Sequence, residues 1–129
     1  SRHPEKIIGT IAFNPAFAGP KKEWQNKYPE WGAFREVSVN KFSKADKINA
    51  IVFAHKEDIF EDPETLSFFK NFKDFNLIDY SELKPTSCTW ADGNEKMTAD
   101  KGHNIPQSKC FTKYLEDKNH LISFLEKIL

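Results

Sequence analysis

The spacing of apolar residues changes along the chain, and each spacing predicts an element of secondary structure. Lys6 to Phe13 is β-branched and apolar on both alternating faces, and it stops at Asn14-Pro15, which predicts a central strand. Ile48 to His55 is apolar nearly throughout and predicts an interior strand. Asn76 to Leu83 predicts a further strand. The first two runs should lie inside a sheet.

A fourth strand is predicted where Val37 and Val39 alternate with polar residues, within Phe34 to Phe42. This alternation is typical of a strand with one buried face. The polar residues Ser43 to Lys47 are then predicted to join it to the next strand as a hairpin.

Three segments predict helices. Lys21 to Lys27 follows Pro20 and would place Trp24 inward. Asp62 can cap a helix that runs to about Lys73, because Pro63 suits the first helical position. Phe111 to Leu129 repeats apolar residues three and four apart, which predicts one helix packed on the sheet. The apolar face expected for the second helix consists of Phe68, Phe69, Phe72 and Phe75, with Leu66 at its margin.

The order strand, helix, strand, strand, helix, strand, loop, helix predicts a single α+β domain over residues 1–129. It matches the β-α-β-β-α-β order of ferredoxin-like folds, whose sheet is small and antiparallel. Without the first helix, the same strands could form a meander or a partial barrel. The fold class alone indicates no particular function.

Charge and hydropathy exclude some classes of partner. Lys plus Arg and Asp plus Glu number 19 each and are interspersed, which disfavours nucleic acid as a partner. The longest apolar runs, such as Ala50 to Ala54, are too short to span a bilayer. The chain begins without Met and without a signal peptide, so we expect a mature form or an excised domain.

Two cysteines, Cys88 and Cys110, bracket the polar stretch Thr89 to Lys109, which has no clear helical or strand period. Loops of this length are uncommon in compact domains unless they are functional or tied down, so we predict a disulfide at its base. The bond would favour a periplasmic, secreted or surface location. The alternative is a pair of buried thiols in a cytosolic protein.

The same stretch carries Trp90, Asp92 and His103, a mixture of an aromatic ring and polar groups that suits a recognition surface. The alternative is a solvated loop that Trp90 anchors to the core. A calcium loop beginning at Asp92 is disfavoured, because its sixth and twelfth positions lack the required Gly and Glu.

A second aromatic concentration surrounds Pro29, with Trp24, Tyr28 and Trp31 as its candidate binding residues. These rings could line an apolar pocket or contact a partner, since aromatic residues are enriched at both kinds of site. They could equally cover one end of the core. If both aromatic regions lie on one side of the molecule, they would form a single site.

The sequence contains no recognisable catalytic, metal-binding or phosphate-binding motif. No two of the four histidines stand at metal-ligand spacing, and there is no nucleophile elbow and no phosphate-binding glycine loop. No metal or cofactor is therefore predicted. The acidic pairs Glu57-Asp58 and Glu61-Asp62 are interpreted as solvated charges before a helix.

We therefore expect a non-enzymatic, exported binding domain of a sensory, accessory or inhibitor type, which recognises a protein partner or a small apolar ligand. The alternative is a small secreted hydrolase or toxin domain that uses His103 or His55 with a carboxylate. A cysteine nucleophile at Cys110 is a weaker variant of that hypothesis. A structural subunit that assembles through the final helix is a third possibility.

Overall fold

A computed structural model describes residues 7–16, 19–42, 49–71, 74–88 and 101–129. Strands and helices alternate through the first two thirds of the chain, and helices follow. In chain order the elements are β1 (Gly9–Phe13), α1 (Lys22–Lys27), α2 (Glu30–Phe42), β2 (Asn49–Ala54), a 3₁₀ helix (Ser67–Asn71), β3 (Phe75–Asp79), a 3₁₀ turn (Pro85–Ser87), α3 (Lys101–Asn104), a second 3₁₀ turn (Ile105–Gln107), α4 (Lys109–Lys118) and α5 (His120–Ile128).

The sheet contains β1, β2 and β3 in that order, and both pairings are parallel. Ile51 of β2 lies opposite Ile11 of β1 and opposite Asn76 of β3. The mixed helix and strand class is confirmed. The antiparallel sheet is wrong, and with it the ferredoxin-like topology, which requires antiparallel pairs.

The strands are parallel rather than antiparallel because one segment between β1 and β2 is a helix. Phe34 to Phe42, predicted as a strand, belongs to α2. Its half-buried positions include Trp31, Arg35 and Val39, which are four residues apart and share one helical face. Because Arg35, at the centre of this helical face, is charged, the spacing of the apolar residues alone does not reveal the helical period. A helical connection between β1 and β2 permits parallel pairing, whereas the predicted hairpin would not.

The sheet is covered on both faces, as parallel sheets require. Ile51 and Phe53 face the C-terminal helices, where Phe111 of α4 and Phe124 of α5 are buried against them. Val52 and Ala54 face the opposite side, together with buried residues from the segment between β2 and β3. The second cluster is completed by Leu66 and Phe69.

The helix predicted from Asp62 is only partly present. The Asp62 carboxylate accepts from the Thr65 N–H at 2.9 Å, so the predicted capping interaction exists. The chain then tightens into the 3₁₀ helix, in which the Phe69 N–H donates to the Leu66 carbonyl three residues earlier. This spacing buries Leu66 and Phe69 on one side, as expected for the core face. Phe72 lies outside the described residues.

The predicted C-terminal helix is divided into α4 and α5 at Asn119, which has φ +56°. Asn is among the few residues that adopt this left-handed conformation readily, so it allows the second helix to turn back onto the sheet. The stretch predicted as an irregular loop also contains α3 and a 3₁₀ turn in its described part. No helix among the described residues is both long and apolar enough to cross a membrane.

Candidate functional site

Three polar residues directly follow the three strands: Asn14 after β1, His55 after β2 and Tyr80 after β3. Because the strands are parallel, these residues meet at one edge of the sheet. All three side chains are buried. Ligands of open α/β sheets bind outside this carboxyl edge, so the loops beyond it are the first place to seek a site.

Asn14 joins this edge to α3. Its amide Nδ2 donates to the carbonyls of Gly102 at 2.9 Å and His103 at 2.8 Å, and its Oδ1 accepts from the Tyr80 hydroxyl at 2.6 Å. Burial raises the pKa of Tyr80 above its ordinary value, which keeps the hydroxyl protonated as a donor. Asn14 has φ +43°, a conformation that Asn tolerates better than most residues.

His55 uses both ring nitrogens inside the protein. Nε2 donates to the Leu83 carbonyl at 2.7 Å, and Nδ1 accepts from the Glu57 N–H at 3.1 Å. The ring also packs against Tyr80, with centroids 5.1 Å apart. Since His55 is fully buried, it supports the loop after β2 and is a poor candidate for proton transfer.

The other candidate histidine, His103, is oriented by a carboxylate. Its Nδ1 lies 2.9 Å from Oδ2 of Asp58, and the Asp58 side chain is completely buried while 28% of the His103 side chain is exposed. The second Asp58 oxygen accepts from the Phe60 N–H at 2.8 Å and fixes the carboxylate. A buried carboxylate that orients a partly exposed imidazole is the arrangement used in acid-base catalysis.

Close packing at Gly102 holds this pair together. A Cβ atom at that position would overlap the backbone carbonyl of Glu57 and the neighbouring peptide nitrogen of Asp58. Only glycine therefore allows α3 to approach the loop after β2 so closely. The contact brings His103 within reach of Asp58.

The aromatic residues predicted as a binding group do converge. Trp31 stacks on Tyr28, with ring centroids 4.5 Å apart, and lies 6.0 Å from Trp24. Trp24 stacks in turn on Phe60 at 4.9 Å, and its indole N–H donates to the Ile59 carbonyl at 2.7 Å. These four residues, Trp24, Tyr28, Trp31 and Phe60, are called the aromatic cluster below.

Phe60 links the aromatic cluster to the histidine. Its ring makes an edge-to-face contact with His103, with centroids 4.9 Å apart. Lys21 adds a further connection, because its ammonium donates to the Asp58 carbonyl at 2.6 Å. Trp24, Tyr28, Trp31 and His103 are therefore on one side of the molecule. Trp90 and Asp92 lie outside the described residues.

A pocket of about 480 Å³ opens beside the aromatic cluster. Its volume falls within the range of about 300 to 1,000 Å³ that is usual for ligand sites. Gly19 lines it and has φ +26°, a left-handed conformation that favours glycine. The described lining residues are Ala16, Gly19, Glu30, Trp31, Phe34 and Phe60.

The predicted disulfide is not present: the structure contains Cys88 and Cys110 as thiols. The two side chains nevertheless lie next to each other. Burial, followed by the neighbouring Cys110 thiol, raises the pKa of Cys88 to about 12. A thiol with so high a pKa is a poor nucleophile at neutral pH.

Two acidic residues were misinterpreted from the sequence. Asp58 and Glu61 were expected as solvated charges, yet both are buried, Asp58 against His103 and Glu61 in an ion pair with Arg35. Their partners are 45 and 26 positions away, so nothing in the local sequence indicates them. Asn14 and Phe60 were missed as site residues for the same reason.

Among the described residues, no three His, Cys, Asp or Glu side chains are grouped so as to hold a metal ion. Comparisons with known proteins matched the chain to no family model, no curated protein and no solved structure.

Proposed function

We propose that the protein is a non-enzymatic binding domain that holds a small apolar ligand in the pocket beside the aromatic cluster. The observation that carries the proposal is the pocket itself, because three of its described lining residues are the aromatic Trp31, Phe34 and Phe60. Pockets lined mainly by apolar rings with a few polar groups are typical of small-molecule sites.

The pocket is also preorganised. Trp24 is held by its indole bond to Ile59, and it stacks on Trp31, so this lining ring is in place before any ligand arrives. Phe34, in contrast, is 62% exposed, so a ligand can cover it without displacing the core. Covering exposed aromatic surface supplies the favourable free energy of binding.

The test is a titration of the ¹⁵N-labelled protein with neutral aromatic fragments, such as indole and benzyl alcohol. We expect chemical shift changes at residues 30–34 and at the Trp31 indole N–H. Phe34→Ala should weaken binding about fivefold or more, because the exposed ring contributes area without supporting the fold. Ile122→Ala on α5, at a residue also about half exposed, is the control and should leave binding unchanged. An affinity that is unchanged in Phe34→Ala would refute the assignment.

We further propose that the domain acts outside the cytoplasm, where Cys88 and Cys110 become a disulfide. Their direct contact supports this, since only adjacent thiols can join without backbone movement. The intact mass of protein recovered from an oxidising compartment should be two daltons below that of the reduced protein. Two alkylatable thiols in that protein would contradict the proposal.

A second function has one specific observation in its favour, the hydrogen bond between His103 and Asp58. In this hypothesis the chain is a small hydrolase in which Nε2 of His103 takes a proton from water, while Asp58 holds Nδ1 and stabilises the positive ring. Turnover of a panel of nitrophenyl esters tests it. His103→Gln should abolish turnover and His120→Gln should not. Absence of turnover by the unmodified protein would eliminate the hypothesis for these substrates.

A further inference from the structure

The pocket beside the aromatic cluster carries a negative charge. Of the described residues that line it, Glu30 alone is charged. Glu30 is the first residue of α2 and is exposed, and it takes part in none of the ion pairs among the described residues. The carboxylate is therefore available to a ligand.

Two of the nearby cations have polar partners of their own. Arg35 pairs with Glu61, and Lys21 lies between the Asp58 carbonyl and the Asp62 carboxylate. No cation from the described part of the chain reaches Glu30. The described lining of the pocket therefore combines one carboxylate with three aromatic rings.

Aromatic faces attract cations, and this chain already provides an example. The Lys27 ammonium lies 5.4 Å from the ring centre of Tyr28 and 5.8 Å from that of Trp24. Both distances are within the usual reach of a cation–π interaction. Trp31 belongs to the same stack and borders the pocket, next in sequence to Glu30.

We propose that the ligand is a small organic cation, a substituted ammonium with an apolar body. Its positive group would lie between the Glu30 carboxylate and the Trp31 ring, and its apolar body would cover Phe34 and Phe60. The inference rests on the proposed function, because it requires the pocket to bind a ligand. It adds the class of that ligand.

The test compares two probes of the same shape, choline and its neutral isostere 3,3-dimethylbutan-1-ol, by ¹⁵N titration of the full chain at low ionic strength. We expect choline to bind about tenfold more tightly, since the ion pair and the cation–π contact each add modestly. Added salt should reduce this difference.

Charge variants assign the effect to one residue. Glu30→Gln should weaken choline binding about fivefold and leave the neutral probe unchanged. Glu36→Gln, on an exposed residue of the same helix outside the pocket lining, is the matched control and should change neither. Trp31→Ala should weaken choline binding, but it also removes a ring that stacks on Trp24 and Tyr28 and could disturb the fold. Phe34→Ala, at an exposed residue, should weaken binding of choline with little risk to folding.

The outcomes separate the two proposals. Equal affinity for both probes, or a choline affinity that is unchanged in Glu30→Gln, would overturn the cation inference. It would leave the proposal of an apolar ligand pocket intact. Binding of neither choline, the isostere nor the aromatic fragments would refute both.

Discussion

The side chain of Asn14 connects three parts of the molecule that are distant in sequence, so its removal should be costly. In Asn14→Gly, the buried Tyr80 hydroxyl and the Gly102 carbonyl lose their partner, as does the part-buried His103 carbonyl. Each buried group left unsatisfied costs about 1 to 3 kcal/mol. Since water can reach the His103 carbonyl, we expect a loss of about 3 to 5 kcal/mol in the free energy of unfolding.

Glycine is the right substitution because it removes the side chain without straining the backbone at this position. Asn14 has φ +43°, which glycine adopts freely, whereas Asn14→Ala should lose about 1 kcal/mol more. Asn119 supplies the matched control: it has φ +56°, is exposed and makes no capping hydrogen bond with its side chain. Asn119→Gly should therefore change stability by less than about 0.5 kcal/mol.

Urea unfolding followed by circular dichroism measures these differences. Tyr80→Phe alone should cost about 1 to 2 kcal/mol, because only one acceptor loses its donor. In the double variant Asn14→Gly/Tyr80→Phe the two losses should fall short of additivity by about 1 kcal/mol. A loss below about 1 kcal/mol for Asn14→Gly, or strict additivity, would refute the role of Asn14 as a junction.

Three further predictions concern residues around the site. Gly102→Ala should lower stability by about 2 kcal/mol and shift the NMR signals of α3, because the added methyl meets backbone atoms; an unchanged spectrum would contradict the packing. Arg35→Met should cost about 3 kcal/mol in urea unfolding by leaving the buried Glu61 carboxylate uncompensated, and Arg35→Met/Glu61→Gln should recover part of the loss. Burial raises the pKa of Cys88 to about 12 and also raises that of Tyr80, so the folded protein keeps protons that the unfolded chain releases above about pH 9. The stability of the reduced protein should therefore fall between pH 8 and pH 10, with a shallower fall in Cys88→Ser; equal urea midpoints at the two pH values would contradict this.

The strands could be predicted from the sequence because each is a short apolar run bounded by polar residues. Their parallel direction could not be predicted from the sequence. Parallel pairing depends on α2, whose inward position Arg35 is charged because it neutralises Glu61, a buried partner 26 residues away. The local sequence pattern around Arg35 therefore does not indicate the ion pair with Glu61. The same limit applies to Asp58, which resembles a surface acid until His103 is placed beside it.

The candidate site was predictable in its aromatic part. Trp24, Tyr28 and Trp31 lie within eight residues, in α1, in the turn after it and in α2, so they are close in space because they are close in sequence. Phe60 and His103 join them only through tertiary contacts. The sequence therefore indicated Trp31 of the pocket lining and His103 as separate candidates, but not Phe60, which contacts both Trp24 and His103.

The bond between Asn14 and Gly102 spans 88 residues, and this separation determines when the site can exist during synthesis. At typical translation rates, about 4 to 18 s pass between the addition of the two residues. Until Gly102 and His103 have been added, the Asn14 amide nitrogen lacks both of the carbonyls that it donates to in the folded protein. The contact between α3 and the carboxyl edge of the sheet can therefore form only late in synthesis, after the three strands have been made.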